Sequence, residues 1–130
     1  LYAYFINPKG IIRSAWSPKR FHAWEAYDQQ LAFFTAMGDE ELVKFRIRGY
    51  LDNALANLYT AEQADNAAEL TAEIGQIEKK IRMLIPLAWK HGCIDFWSDF
   101  DFLYRFFPLR TRAYRLWLEV RARLERKKDA

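Results

Sequence analysis

Three places in this chain hold residues whose types could do chemistry. His91, Gly92 and Cys93 set an imidazole near the single thiol. Asp95, Asp99 and Asp101 bring three carboxylates close together in sequence. Nine basic residues gather after residue 103, among Tyr104, Phe106, Phe107, Tyr114 and Trp117. A Cys–His pair does nucleophilic chemistry only when thiolate and imidazole meet in space, which adjacency in sequence does not provide. Gly92 followed by a small apolar Cys reads more simply as a helix C-terminus. Three carboxylates hold a divalent cation when further ligands or a Gly-containing loop converge with them. Asp95 and Asp99 share a helical face at i,i+4, Asp101 points elsewhere, and no such loop follows. They read as capping or surface residues, and no metal site is assigned.

Other chemistries lack their parts. One cysteine excludes an intramolecular disulfide and a Cys-based zinc site, and favours a reducing compartment. Two histidines leave little for metal binding. The five glycines are scattered, so no phosphate-cradling loop is present, and no Ser–His–Asp signature occurs.

The basic tail is the most suggestive segment. Trp117 with Arg110, Arg112, Arg115 and Arg123 on an amphipathic helix suits an anionic bilayer interface. The same cations would suit nucleic-acid phosphates, a partner placed well behind the bilayer. A plainer reading stays open: a helix that packs its stripe into the core and lets an arginine rim snorkel. Charge is unevenly spread. Residues 1–20 hold four basic residues and no acid, residues 21–103 seven basic and 14 acidic, and residues 104–130 nine basic and three acidic. The formal net charge is only +3, yet two basic ends flank an acidic middle, which points to an anionic partner for the tail.

Helices must position these groups. Residues 1–6 alternate aromatic and small side chains and predict a short strand, followed by an Asn7-Pro8-Lys9-Gly10 turn. Ser17-Pro18 predicts a helix start, and the helix runs over residues 18–37 to Gly38. Trp24, Tyr27, Leu31 and Phe34 form its apolar stripe, widened by Ala23, Ala26, Phe33 and Met37. Asp39 is expected to cap a second helix with Val43, Ile47, Leu51, Ala54 and Leu58 inward and Arg48 paired to Asp52 outward. Gly49 is expected to admit a neighbouring helix closely. Asn66 and Glu69 fit a capping box. Beyond it, Ala67, Leu70, Ile74, Ile77, Ile81, Leu84 and Ala88 alternate spacings of three and four. That seam predicts packing in an antiparallel hairpin rather than a free coiled coil. Pro86 is expected to kink or stop this helix, and Gly92 to cap it. A short aromatic helix follows within residues 94–107. Pro108 then starts a last helix to about residue 127, with Leu109, Ala113, Leu116, Val120, Leu124 and Trp117 on its stripe. The expected class is all-α: about five helices, in hairpins, behind one short N-terminal strand.

At 130 residues and 52% apolar composition the chain is one domain or part of a longer protein, and it is not disordered throughout. Its opening on Leu1-Tyr2-Ala3-Tyr4, with no leader pattern, favours a piece of a longer protein. No apolar run approaches the ~20 residues of a membrane-spanning helix.

The run Leu1-Tyr2-Ala3-Tyr4-Phe5-Ile6-Asn7-Pro8-Lys9-Gly10-Ile11-Ile12-Arg13-Ser14 resembles a stretch in bacterial family 2 glycosyltransferases of GT-A type, where it follows the nucleotide-sugar domain. The next stretch, from Trp16-Ser17-Pro18-Lys19-Arg20-Phe21 through Ala32-Phe33-Phe34, looks like the first helix of their C-terminal helical extension. Gly38-Asp39-Glu40-Glu41-Leu42 continues the likeness, which covers residues 1–59. The resemblance implies that residues 1–16 are a strand and turn from the end of a catalytic domain and residues 17–130 a helical C-terminal domain. It implies a non-catalytic part of an enzyme that transfers a sugar from a nucleotide-sugar donor in polysaccharide or glycan assembly. The nucleotide-binding strand, the Asp-x-Asp, its divalent metal and the catalytic base would lie upstream of Leu1. No catalytic residue and no cofactor is then expected here, and Asp99-Phe100-Asp101 takes no metal role in its helical context. Tyr4, Asn7, Lys9 and Arg13 would line the substrate rim, Lys9 and Arg13 towards donor phosphates, or would only shape a turn. The expected partners are the upstream catalytic domain, an anionic membrane surface and a second copy. The expected location is cytoplasmic, peripheral on the inner membrane face. A stand-alone helical protein–protein interaction module is the reading of another class.

Overall fold

The computed structural model describes residues 16–129. The expected strand, its turn and the rim candidates Tyr4, Asn7, Lys9 and Arg13 lie outside the described residues. The protein is all-α, with no strand among the described residues. The chain forms two compact units, one through Cys93 and one from Ile94 onward.

The first unit holds three long helices: α1 (His22–Met37), α2 (Glu40–Gln63) and α3 (Thr71–Lys90). A 3₁₀ turn, Pro18–Phe21, leads into α1, and the Ser17 hydroxyl accepts the Lys19 N–H at 3.3 Å. Gly38, at φ 73°, turns the chain in the left-handed region. Its N–H bonds to the Thr35 carbonyl, and the Asp39 N–H bonds to that of Phe34, closing the last turn of α1. Asp39 also starts α2, its carboxylate accepting the Leu42 N–H at 3.2 Å. One residue therefore ends one helix and begins the next.

The three helices run antiparallel in sequence. Trp24 meets Asn53 and Gln30 meets Arg46 between α1 and α2. His91 just beyond α3 meets Glu40 at the start of α2, while Lys80 lies over the Tyr50 ring midway along. The core is the seam itself: Val43, Ile47, Leu51, Ala54 and Leu58 from α2 are buried against Ile77, Ile81, Leu84 and Ala88 from α3. Each large side chain so buried is worth about 1.5–3 kcal/mol, which is why the periodic seam wins over local irregularities.

Four local expectations come out differently. Asn66 does not cap a helix. Its side chain clips the backbone of buried Trp16, accepting from the Trp16 N–H at 3.1 Å and donating to its carbonyl at 3.2 Å. Helix α3 then begins at Thr71, after a 3₁₀ turn at Ala67–Glu69. Pro86 does not stop α3, which continues to Lys90. A proline removes one N–H from the ladder, and the buried neighbours Leu84, Ile85 and Ala88 hold the helix across the gap. Gly92, at φ 73°, makes the actual stop, with the Cys93 N–H reaching the Ala88 carbonyl at 2.8 Å. The space at Gly49 is taken by the Arg46 side chain of the same helix, whose Nη2 lies 2.6 Å from where a Cβ would stand. Finally, Ala26, Phe33 and Met37 are exposed and do not widen the stripe of α1, in which Trp24 is buried and Tyr27, Leu31 and Phe34 are half-buried.

The second unit pairs a short helix, α4 (Phe100–Phe106), with α5 (Pro108–Asp129). Phe96, Phe102, Leu103 and Phe106 are buried within it. The Phe96 ring sits 4.9 Å from that of Tyr114, and the buried Thr111 hydroxyl donates to the Leu103 carbonyl at 2.9 Å. These contacts fix which side of α5 faces α4.

Candidate functional site

The thiol and the imidazole near residue 92 do not form a catalytic pair. The His91 Nδ1 is 2.7 Å from the Glu40 carboxylate, while the Cys93 thiol contacts only backbone carbonyls, nearest that of Lys44 at 3.6 Å. Burial pushes the Cys93 thiol above its usual range, against the pull of Lys44 and Arg48, so it is a poor nucleophile. The Arg48 guanidinium bonds the Cys93 carbonyl at 3.1 Å, and with His91–Glu40 this straps the end of α3 to the start of α2.

The carboxylates near residue 97 organise a turn. Asp95 accepts from the Trp97 N–H and the Ser98 hydroxyl, and the buried Asp99 accepts from the Asp95 N–H at 2.9 Å. Asp95 caps that turn, whereas the Asp99 carboxylate, buried at the start of α4, ties back to it and makes no side-chain cap to its own helix. Among the described residues no group of three or more His, Cys, Asp or Glu side chains is placed to hold a metal ion. An open cleft beside Phe100, Tyr104, Arg112 and Arg115 has its polar groups committed in part to an Arg115–Glu119 ion pair at 3.6 Å.

The tail helix differs. An α-helix turns roughly 100° per residue. On that wheel Leu109, Ala113, Leu116, Trp117, Val120 and Leu124 fall within an arc of roughly 100°. Thr111, Tyr114 and Leu118, which are buried or half-buried, lie away from that arc. The apolar arc itself is exposed, with Leu109 78% and Leu116 61% accessible. The stripe that periodicity identifies is therefore real, yet it is not a core stripe of this unit.

Cations line both edges of the arc. Arg112 and Arg123 lie along one edge, Arg110 and Arg121 along the other. Lys127 and Lys128 complete the set at the C-terminal end. The two carboxylates within residues 108–128, Glu119 and Glu125, both lie on the opposite half. One half of α5 thus carries six apolar side chains, six cations and no carboxylate, and of these cations Arg121 reaches across to Glu125 on the other half at 3.2 Å. Of the residues singled out by sequence, Arg110, Arg112, Trp117 and Arg123 share this half. Arg115 falls outside it, stacked over Phe100 at 5.6 Å and paired to Glu119. Arg121, Lys127 and Lys128 join the set only when angular position is counted. Arg110, Arg112 and Arg123 make no ion pair among the described residues. Among the described residues no helix is long and apolar enough to cross a membrane.

Comparison with protein-family models, with curated proteins and with solved structures finds no match to this chain.

Proposed function

We propose that this chain is the non-catalytic, helical C-terminal part of a glycosyltransferase that transfers a sugar from a nucleotide-sugar donor in polysaccharide or glycan assembly. Its role is to hold the upstream catalytic domain, with that domain's divalent metal, at the cytoplasmic membrane face where lipid-linked acceptors lie. The sugar chemistry rests on the resemblance over residues 1–59. The surface role is carried by one observation, the exposed apolar arc of α5 between two cationic edges. Each basic side chain near anionic lipid adds about 1 kcal/mol, and the aromatic and aliphatic arc adds apolar burial.

The test is nucleotide-sugar turnover by the full-length protein with and without residues 60–130. Transfer to a lipid-linked acceptor that falls on truncation supports the reading. Full-length protein that turns over no nucleotide sugar overturns it. A helical interaction module is the second reading, favoured by Phe33, Met37 and Phe45, which are exposed on α1 and α2. A protein partner whose binding is lost when these three become polar, in protein without sugar turnover, would establish it.

A further inference from the structure

We infer that the carboxylate-free half of α5 is a docking face for an anionic phospholipid bilayer, with the helix lying parallel to the surface. This rests on the surface association proposed above and is independent of the sugar chemistry. The face is exposed along four turns, from Leu109 to Leu124. Its geometry matches an interface in two respects. The apolar arc can enter the headgroup–acyl boundary, and the arginines at its edges extend sideways to the phosphate level while their methylene stems stay in apolar surroundings. Glu119 and Glu125 lie just outside this half, where Arg115 and Arg121 pair with them.

Charge selects this occupant over two others. A second copy of α5 laid face to face would set cationic edges against cationic edges, with the nearest carboxylates, Glu119 and Glu125, already paired to Arg115 and Arg121 of their own helix. A nucleic acid would neutralise the arginines but would leave Leu109, Leu116, Val120 and Leu124 uncovered. An anionic bilayer satisfies the cations and buries the arc together.

Two alanines make the test. Ala113 lies in the arc and Ala122, nine residues on, lies roughly half a turn away round the helix, and both are exposed. Ala113→Glu and Ala122→Glu change net charge and helix composition identically. Co-sedimentation with vesicles of phosphatidylglycerol and phosphatidylcholine reads the partition of each. Ala113→Glu should weaken partition by about tenfold or more, and Ala122→Glu by no more than about threefold. Ala113→Lys guards against a folding defect, since it should bind at least as tightly as the parent. Equal weakening by both Glu variants, or weakening by neither, would overturn the assigned face. So would a dimer in lipid-free buffer that Ala113→Glu dissociates, which would give the face to a second copy. Loss of the lipid result with sugar turnover intact would leave the glycosyltransferase reading standing, and the converse holds.

Discussion

The Trp24 indole donates to the Asn53 side-chain oxygen at 2.9 Å across the α1–α2 interface. The same oxygen accepts from the Asn57 amide at 3.0 Å. Asn57 and Trp24 are both buried. One acceptor therefore satisfies two donors that have lost water. Asn53→Ala should cost about 1–3 kcal/mol, since it orphans both. Urea denaturation of this variant measures the cost, and Asn53→Ala in a Trp24→Phe background should cost less than it does alone.

The Gly38–Asp39 junction predicts two losses of similar size. Gly38→Ala meets no atom within 4 Å, so its cost is the left-handed backbone alone, about 1 kcal/mol. Asp39→Ala removes the carboxylate cap of α2 and should also cost about 1 kcal/mol. Both should lower the urea midpoint without changing its slope.

Tyr50 predicts an alkaline limit to stability. It is fully buried, with its hydroxyl unpartnered among the described residues. Burial, helped by the Asp28 carboxylate, raises its pKa above the ordinary phenol value. The folded state therefore holds this proton where the unfolded chain releases it. The stabilisation is complete below the unfolded pKa of about 10 and falls as pH rises beyond it. Tyr50→Phe should be neutral or stabilising by up to about 1 kcal/mol at pH 7, because no hydrogen bond is lost. It should also flatten the fall in thermal midpoint between pH 9 and pH 11, which calorimetry reads.

Local signals in the sequence locate the helices well. Ser17-Pro18, Gly38-Asp39 and Gly92 each act through their own backbone chemistry, so the ends they mark are visible without tertiary knowledge. The Ile77–Ile81–Leu84–Ala88 seam is equally legible because its partner stripe on α2 has the same period. Asn66 is not legible, since its partner Trp16 lies 50 residues away in sequence. Phe33 and Met37 come out exposed, and the sequence leaves two readings of the α5 arc open, for a shared reason. Periodicity says which side chains share a face but not what covers it. Arg115 and Arg121 are alike in sequence, and only their angular positions, one over Phe100 and one over Trp117, separate their roles.

The central claim is that this chain holds its protein at an anionic membrane surface through α5. Vesicle co-sedimentation of the protein, on phosphatidylglycerol-containing and on pure phosphatidylcholine vesicles, at low and high salt, tests it most directly. Binding should require the anionic lipid, weaken as salt shortens the Debye length, and fall when Arg110, Arg112 and Arg123 become Gln. Arg115→Gln should change it little. Equal binding to neutral vesicles, or no binding to anionic vesicles at low salt, would contradict the account.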